Sequence, residues 1–387
     1  MKKTEPGKKE DIKTQLPTIL EASESYEQWI ARQVTMVRGD LELKHRLMAE
    51  SIFPFMRATF YRWAQLWPVV CPDLARAPQV LAVGDLHVDN FGTWRDLEGR
   101  LIWGVNDFDE AWPASYAVDL VRLLTSAYLA GRVEQLLVSR RTAREAIEDG
   151  YRDSMERGGS PYVLAERHVW LREIALSKLR DPVRFWKKIA TCPAYRGKVP
   201  PLVHDLIRGC MPVKGAETEM KTRVAGMGSL GKPRILGLFQ WHGAHMVREA
   251  KALTRSGWIW ADAALNPAKD KDAPLLQEEI IGNAVRVRDP HLHFHENWAI
   301  RRLAPDCCRI DIATLPNDRD EERLLYAMGW ETANIHLGSR GKAAAVRKDL
   351  GQRRGKWLHQ ATKAMEEATE KDWKVWRKAW REQHPEG

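Results

Sequence analysis

The chain has 387 residues, of which 44% are hydrophobic, so it can bury a substantial core as one large domain or as two lobes. Its net charge of +9 comes from interleaved cations and anions, which favours binding of anions such as nucleotides and does not favour nucleic acid. The five cysteines include no C-x-x-C pair, which argues against a disulfide-stabilised protein. No run approaches the ~18 apolar residues of a membrane helix, which argues against a membrane-spanning protein. No secretory signal is visible, so we expect a cytoplasmic protein without a membrane partner.

The N-terminal region is predicted to be mostly helical. Residues 1–25 are charged or proline-punctuated and are expected to form a flexible tail. Apolar residues at helical spacing then predict helices over residues 26–36, 41–52 and 53–66.

The most informative stretch follows an apolar run at residues 80–83. The apolar run is followed by Asp85 and, five residues later, by Asn90. A predicted hairpin, with strands at residues 91–94 and 100–105, returns the chain to Asp107 and Asp109. Two carboxylates and an amide at adjacent strand ends can hold a divalent metal, with Mg²⁺ the best match for hard oxygen donors, and can orient a hydroxyl. This arrangement is what phosphoryl transfer requires of a protein.

The middle of the chain is again predicted to be helical. A helix over residues 116–131 carries Asp119 in its first turn, where a carboxylate suits the helix dipole. More helix is expected over residues 135–157 and 163–179. The basic, proline-rich residues 181–216 form a candidate boundary between lobes.

A glycine-rich loop opens the next region. Its sequence Gly226-Met-Gly228-Ser229-Leu-Gly231 satisfies G-x-G-x-x-G, and a strand is predicted before it at residues 222–225. A dinucleotide-binding loop would lead into a helix, whereas residues 234–241 are strand-like. The context therefore favours a strand–loop–strand hairpin, which is how protein kinases cover the phosphates of ATP.

The following strand, residues 244–250, should carry a cation for those phosphates. A spacing of about 17 residues from the last glycine selects Arg248. Because arginine and lysine are not interchangeable, Lys251 is a rival candidate. A short helix over residues 274–287 carries Glu278 and Glu279, either of which could pair with that cation.

The C-terminal part alternates strands and helices. Strands are predicted at residues 291–295 and 298–303, and helices at residues 320–337 and 350–383. Three histidines in the first strand share a face, and we interpret them as a solvated face in preference to a zinc site, because no cysteine or carboxylate stands at motif spacing. The tryptophans of the last helix are interpreted as packing residues, and its basic residues as a solvated face. The residues in question are His291, His293, His295, Trp373, Trp376 and Trp380.

The polar segments around Asp85 and Asp107, taken with the glycine-rich loop, resemble domain-of-unknown-function family 2252 of bacteria. More distantly, they resemble aminoglycoside and choline phosphotransferases of the protein-kinase-like fold. Those enzymes carry His-Gly-Asp-x-x-x-x-Asn, then Asp-x-Asp/Glu, then a helix with a structural aspartate. The resemblance implies that Asp85 is the base and Asn90 a metal ligand. It also makes Asp107 the principal metal ligand, Asp109 a second acidic neighbour, and Asp119 the brace of the catalytic loop.

The order of the motifs departs from that of kinases. The glycine loop follows the catalytic segment, and Val83 replaces the first histidine of the catalytic loop. We therefore expect an α+β, two-lobed, circularly permuted kinase-like fold with a small antiparallel sheet lobe. The expected divisions are a tail at 1–25, a helical lobe at 26–215, a nucleotide-binding sheet lobe at 216–318, and returning helices at 319–387.

The functional prediction is a Mg-ATP-dependent phosphotransferase whose acceptor is an unidentified small molecule or protein. Its catalytic residues would be Asp85 and Asn90, with Asn90, Asp107 and Asp109 on metal. The loop residues Gly226, Gly228, Ser229 and Gly231, with Arg248 or Lys251, would bind ATP. A nucleotide-binding pseudokinase or an AMP-transferring regulator is the alternative, and a metal-dependent phosphohydrolase ranks third. The sequence leaves the acceptor and the oligomeric state open.

Overall fold

The computed structural model describes residues 16–133, 136–164, 167–177, 181–212, 217–263, 273–307 and 318–385. These residues form a mixed α+β protein with three small antiparallel sheets, which confirms the predicted α+β class. Across the same ranges, no helix combines the length and apolarity needed to span a bilayer.

Five helices precede the first strand. The first begins at a capping box, in which the Glu21 carboxylate accepts a hydrogen bond from the Thr18 amide at 2.8 Å. The predicted flexible tail is therefore wrong for residues 19–25, and residues 1–15 lie outside the described ranges. The single helix predicted over residues 53–66 is interrupted at Thr59, where the backbone leaves helical geometry. The helices are α1 (Ile19–Ala31), α2 (Arg38–Glu50), α3 (Ile52–Ala58), α4 (Phe60–Val70) and α5 (Pro72–Ala75).

The hairpin predicted between the two acidic segments is confirmed, and it is called the catalytic hairpin after the role that the sequence predicts for it. Its strands pair antiparallel from Phe91 opposite Val105 to Arg95 opposite Leu101. One further backbone hydrogen bond, from Asn106 to Asn90, continues the ladder at the open end, so the two polar segments lie side by side. The strands of this region are β1 (Gln79–Ala82), β2 (Phe91–Arg95), β3 (Leu101–Val105), β4 (Trp112–Ser115) and β5 (Tyr162–Val163), with β1 paired to β4 and β5 paired to β3.

The main core surrounds one helix that is buried from Tyr116 to Ala130 and is capped by the Ser115 hydroxyl. Two short helices then occupy the region predicted as a lobe boundary, and their apolar residues pack on the large sheet, among them Phe185 and Val203. These helices thus contact the sheet, although the predicted division groups residues up to 215 with the helical lobe. The helices from the core to this region are α6 (Tyr116–Arg132), α7 (Arg140–Arg157), α8 (Val169–Ser177), α9 (Pro182–Ala190) and α10 (Pro201–Gly209).

The large sheet carries the glycine loop between its first two strands. Because these strands pair antiparallel and the loop contains only a single 3-10 turn, the hairpin prediction is confirmed and the dinucleotide alternative is wrong. The first strand ends at Thr222 instead of continuing through residue 225. The strands are β6 (Glu219–Thr222), β7 (Arg234–Trp241), β8 (Ala244–Ala252), β9 (His293–His295) and β10 (Trp298–Leu303), in the spatial order β6-β7-β8-β10-β9.

Two helices, α11 (Gly257–Ala263) and α12 (Gln277–Asn283), lie between β8 and β9, and three more follow the sheet. α12 is shorter than predicted. The long helix predicted over residues 350–383 is two helices, the second of which packs against α6 and α2. Indole nitrogens of Trp373 and Trp376 donate to backbone carbonyls of α2, which confirms their packing role. The last helices are α13 (Asp318–Leu337), α14 (Ala343–Gln352) and α15 (Trp357–Gln383).

Candidate functional site

The open end of the catalytic hairpin and the glycine loop face each other across one cavity of about 440 Å³. The two segments are far apart in the chain, yet a Cβ placed on Gly228 would lie 3.4 Å from Asp85 Oδ2. Most of the predicted site residues line this cavity: Asp85, Asn90, Asp107, Asp109, Gly226, Gly228 and Ser229.

Asp85 is held by a buried arginine. Arg122, fully buried on α6, donates to Asp85 Oδ1 from Nε at 2.9 Å and from Nη2 at 2.5 Å. Burial raises the pKa of Asp85, and the Arg122 charge opposes that rise without cancelling it. Within the described residues Oδ2 accepts no hydrogen bond, so one carboxylate oxygen is fixed while the other faces the glycine loop. This is a suitable arrangement for a general base.

Asn90 joins the two polar segments. Its amide oxygen accepts from the Asp107 backbone amide at 2.9 Å, and its amide nitrogen donates to the Asp107 carbonyl at 3.0 Å. The predicted metal ligand is thus also a clamp between the strand ends. One lone pair of the amide oxygen remains for a metal.

Asp107 and Asp109 share the ammonium group of Lys251. Lys251 Nζ lies 3.0 Å from both oxygens of Asp107 and 2.6 Å from Asp109 Oδ1. Burial raises the pKa of Asp107, but the Lys251 charge, the hydrogen bonds with Asp109 and Lys251 and the Arg234 charge together outweigh burial and hold that pKa below its usual range. The pKa of Asp109 is raised by burial and by the charge of Asp107. Asp107 remains half-exposed, so it can accept a further cation.

The side chains of β8 alternate between the two faces of the sheet, and this alternation separates the two candidate cations. Residues three apart on a strand point to opposite faces, and Lys251 faces the acids. Arg248 is buried on the other face, where its guanidinium donates to the Val247 carbonyl, and neither Arg248 nor Lys251 is among the residues that line the cavity. The contact with the two acids favours Lys251 over Arg248. Gly231 also lies outside the cavity lining, and its carbonyl accepts from the Val37 amide at 2.8 Å.

The predicted glutamate partner of the cation is wrong as well. Glu278 and Glu279 are exposed, and neither contacts Arg248 or Lys251 within the described chain. The neighbouring Gln277 is buried and donates to the Asp109 carbonyl at 3.3 Å.

The catalytic loop is braced by a chain of buried groups. Asp119 accepts from the Val83 amide at 2.7 Å and from the Gly84 amide at 2.9 Å, as the resemblance implies for this aspartate. His336 of α13 lies 2.9 Å from Asp119 Oδ2, and Tyr151 lies 2.8 Å from the other ring nitrogen. A histidine from a distant helix thus contacts the aspartate that holds this loop, a contact that sequence reasoning did not find.

One buried carboxylate organises three arginines of the cavity wall. Glu249, which is fully buried, accepts hydrogen bonds from Arg223, Arg234 and Arg301 at 2.5 to 3.0 Å. Burial raises the pKa of Glu249, but the arginine charges outweigh it and hold the carboxyl ionised. Three cations on one anion leave a positive surplus beside the glycine loop. Glu249 and Lys251 are two residues apart on β8, so their side chains lie on the same face of the sheet. This spacing could have been found from the sequence.

Glu110 is a further cavity residue that the sequence analysis did not assign. It accepts from the Gly257 amide at 2.6 Å and from the Ser256 hydroxyl at 2.9 Å. Burial raises its pKa to about 7. Gly84, at φ +83°, allows the close approach, because a Cβ there would lie 2.5 Å from the Glu110 carbonyl oxygen.

The donor set fits Mg²⁺ held together with a nucleotide. Asp107, Asp109 and Asn90 supply hard oxygens, and Mg²⁺ commonly uses one or two carboxylates plus phosphates and water. No trio of His, Cys, Asp and Glu in the described chain forms a self-sufficient metal cluster. His293 and His295 are exposed, in keeping with a solvated strand. His87 caps its own loop, accepting from the Asp89 amide at 3.2 Å.

Comparison with known proteins gives one match. Residues 37–182 match the profile of domain-of-unknown-function family 2252, described as "Uncharacterized protein conserved in bacteria". This stretch resembles that family. It contains the catalytic hairpin and Asp119 but stops before the glycine loop. No curated protein and no solved structure matches the chain.

Proposed function

We propose that this protein is a Mg-ATP-dependent phosphotransferase with a protein-kinase-like site. The observation that carries the proposal is the meeting of the glycine loop, Asp85 and the Lys251-bound acids at a single cavity. Each of these elements is weak alone, whereas together they supply a phosphate-covering loop, a base, metal ligands and a cation.

Each side chain has a defined role in this proposal. Asp107 and Asp109 would hold Mg²⁺, which when bound neutralises phosphate charge, and Asn90 keeps the two acid-bearing segments in register. Lys251 is placed to contact phosphate oxygens from the third strand. Asp85 accepts the proton of the acceptor hydroxyl at Oδ2, while Arg122 fixes Oδ1.

The contacts of α13 support the proposed circular permutation. In a kinase the equivalent helix would lead directly into the catalytic loop. Here the end of α13 lies beside β1: Ser339 Oγ accepts from the Leu81 amide at 2.7 Å, and His336 reaches Asp119. A helix that follows the sheet in sequence therefore ends next to the strand that delivers Asp85. This is the neighbourhood that a permuted two-lobed kinase fold requires.

Two observations favour the alternative of a nucleotide-binding pseudokinase or an AMP-transferring enzyme. Lys251 has no glutamate partner from α12, since Glu278 and Glu279 are exposed. Asp85 also has one oxygen committed to Arg122. A phosphohydrolase is less well supported, because the described residues lack a metal cluster of three His, Cys, Asp or Glu ligands.

A thermal-shift titration with ATP, with and without Mg²⁺, tests nucleotide binding. A ligand at a hundred times its Kd should stabilise the fold by about 2.7 kcal/mol. Asp107→Ala should abolish the Mg²⁺-dependent part of this shift, whereas Asp85→Ala should retain it and lose ADP release across a panel of hydroxylated and amine acceptors. Asp205→Ala, at an 80% exposed carboxylate, is the control. Stabilisation by NAD without stabilisation by ATP, or equal turnover in Asp85→Ala and wild type, would contradict the proposal.

A further inference from the structure

Two lysines are buried next to the cavity and belong to no element of the proposed reaction. Lys44 lies on α2 and Lys232 directly follows the glycine loop; they are only 5% and 6% exposed. Lysine is almost never buried to this extent unless its ammonium group is paired. A buried and poorly paired ammonium therefore indicates a missing anionic partner.

Their hydrogen bonds are incomplete. Lys232 Nζ donates to the Thr254 hydroxyl at 2.8 Å and makes no ion pair with any residue that the structure describes, although an ammonium has three donors. Lys44 Nζ lies over the Tyr61 ring, 6.0 Å from its centre, and no acceptor for it exists among the described residues. Two buried cations thus share a region with several unused donors.

Within the described chain the neighbouring acids make no direct ion pair with either lysine, although the charge of Lys232 opposes the burial-driven rise in the pKa of Glu110 and of Asp109. Burial lowers the pKa of Lys44, and the charges of Glu27, Lys232 and Glu110 act on it as well. Glu27 is held by His45 at 2.6 Å. Glu110 accepts its hydrogen bonds from the Ser256 hydroxyl and the Gly257 amide, and within the described chain it accepts none from either lysine.

Lys232 lines the cavity, and Lys44 lies over the ring of Tyr61, which lines it as well. Lys232, Tyr61 and Glu110 line the same cavity as Asp85, and the charge of Asp85 also acts on Lys44. The glycine loop closes this part, with a Cβ on Gly228 falling 3.1 Å from the Arg57 carbonyl. A compact acceptor suits this enclosure better than a protein side chain on a folded surface.

We propose that Lys44 and Lys232 form an anion subsite that binds the carboxylate or phosphate group of a small hydroxylated acceptor. The reaction assignment rests on the proposed phosphotransferase function, whereas the anion subsite itself does not. In the transfer, the bond from the terminal phosphorus to the bridging oxygen breaks, and a bond from the acceptor oxygen to that phosphorus forms. The hydroxyl proton passes to Asp85, and ADP leaves.

Calorimetric titration with inorganic phosphate tests the subsite. The protein is first saturated with β,γ-imido-ATP and Mg²⁺, so that the terminal-phosphate position is filled. One equivalent of phosphate should still bind, and Lys44→Met or Lys232→Met should weaken it by about tenfold or more while nucleotide affinity changes less than about threefold. Methionine retains the aliphatic stem, so both variants should fold with unchanged or higher stability. Lys363→Met, at a 63% exposed lysine, is the control.

The outcomes separate the two proposals. No phosphate binding to the saturated protein, or a parallel loss of nucleotide affinity, would mean that the lysines serve the nucleotide and would overturn the subsite. If β,γ-imido-ATP does not bind, the phosphotransferase proposal fails. Lysine-dependent phosphate binding to the free protein would then still support the subsite, and its absence would overturn it.

An acceptor comparison identifies the anionic group. Glycerol, glycerate and glycerol 3-phosphate offer the same hydroxyl chemistry with no anion, a carboxylate or a phosphate. ADP release with one of the two anionic compounds should exceed that with glycerol by about tenfold or more, and Lys232→Met should remove the difference. Equal rates with all three would overturn the acceptor assignment.

Discussion

Replacing Arg122 by methionine tests whether Asp85 is poised as a base by its buried counter-ion. Arg122 is fully buried and gives Asp85 Oδ1 two hydrogen bonds, and its guanidinium stacks on Phe60 and Trp63 at 5.0 and 4.8 Å. Methionine keeps much of the stem and favourable contact with the rings, so the variant chiefly removes the charge.

The expected cost follows from the burial of the pair. Removing one partner of a buried ion pair costs about 3–5 kcal/mol, and Asp85 retains 20% side-chain exposure, so we expect about 2–3 kcal/mol at pH 8. Arg122 opposes the burial-driven rise in the pKa of Asp85, and its removal therefore raises that pKa further. A carboxyl with a raised pKa destabilises the fold once it ionises, so the loss should shrink as the pH falls and Asp85 becomes protonated.

Urea unfolding of four proteins measures this effect: wild type, Arg122→Met, Asp85→Asn and the double variant, each at pH 5 and pH 8. The double-mutant cycle should give a coupling energy of at least about 1 kcal/mol at pH 8 and less at pH 5. Arg141→Met, at an 83% exposed arginine, controls for loss of a positive charge. A pH-independent cost, or no rescue by Asp85→Asn, would refute the counter-ion argument.

Three further predictions concern the cavity wall. Gly228→Ala should cost about 1–3 kcal/mol in urea unfolding and weaken ATP binding, because its Cβ would lie 3.1 Å from the Arg57 carbonyl; unchanged binding would show that the loop tolerates displacement. Lys251→Met should reduce ATP affinity by about tenfold or more in a titration. Arg248→Met, the matched variant on the opposite face of the strand, should leave ATP affinity within about twofold. Equal losses of affinity would contradict the inference that Lys251, and not Arg248, faces the nucleotide. Burial raises the pKa of Glu110 to about 7. Wild type should therefore lose stability on the order of 2–3 kcal/mol relative to Glu110→Gln as the pH rises from about 4.5 through 7. An equal difference between the two proteins in urea unfolding at pH 4.5 and pH 8 would exclude this.

Local patterns predicted much of the site. The hairpin that presents Asn90 and the glycine-loop hairpin follow from apolar runs and turn residues, since strand period and turn chemistry are local properties. Spacing along a strand did not anticipate which cation meets the acids. Residue counting selected Arg248, whereas the packed sheet directs Lys251 toward Asp107.

The partners of the catalytic groups could not be predicted, because they come from distant elements. Arg122 lies on a buried helix, and nothing in its neighbours in sequence indicates that it reaches Asp85. His336 contacts Asp119 across more than half of the chain. Such pairs depend on how α6 and α13 pack against the hairpin, and a single sequence contains no signal for that packing.

The cluster around Glu249 has a consequence for the protein in the absence of any ligand. Three guanidinium groups, on Arg223, Arg234 and Arg301, repel one another and share one carboxylate, so part of their mutual repulsion is uncompensated. An incoming polyanion would relieve that repulsion without moving the arginines, because Glu249 already holds them in place. The ligand-free form should therefore retain uncompensated repulsion among the arginines. Raising the salt concentration should screen that repulsion and stabilise this form, and it should also weaken the binding of polyanions.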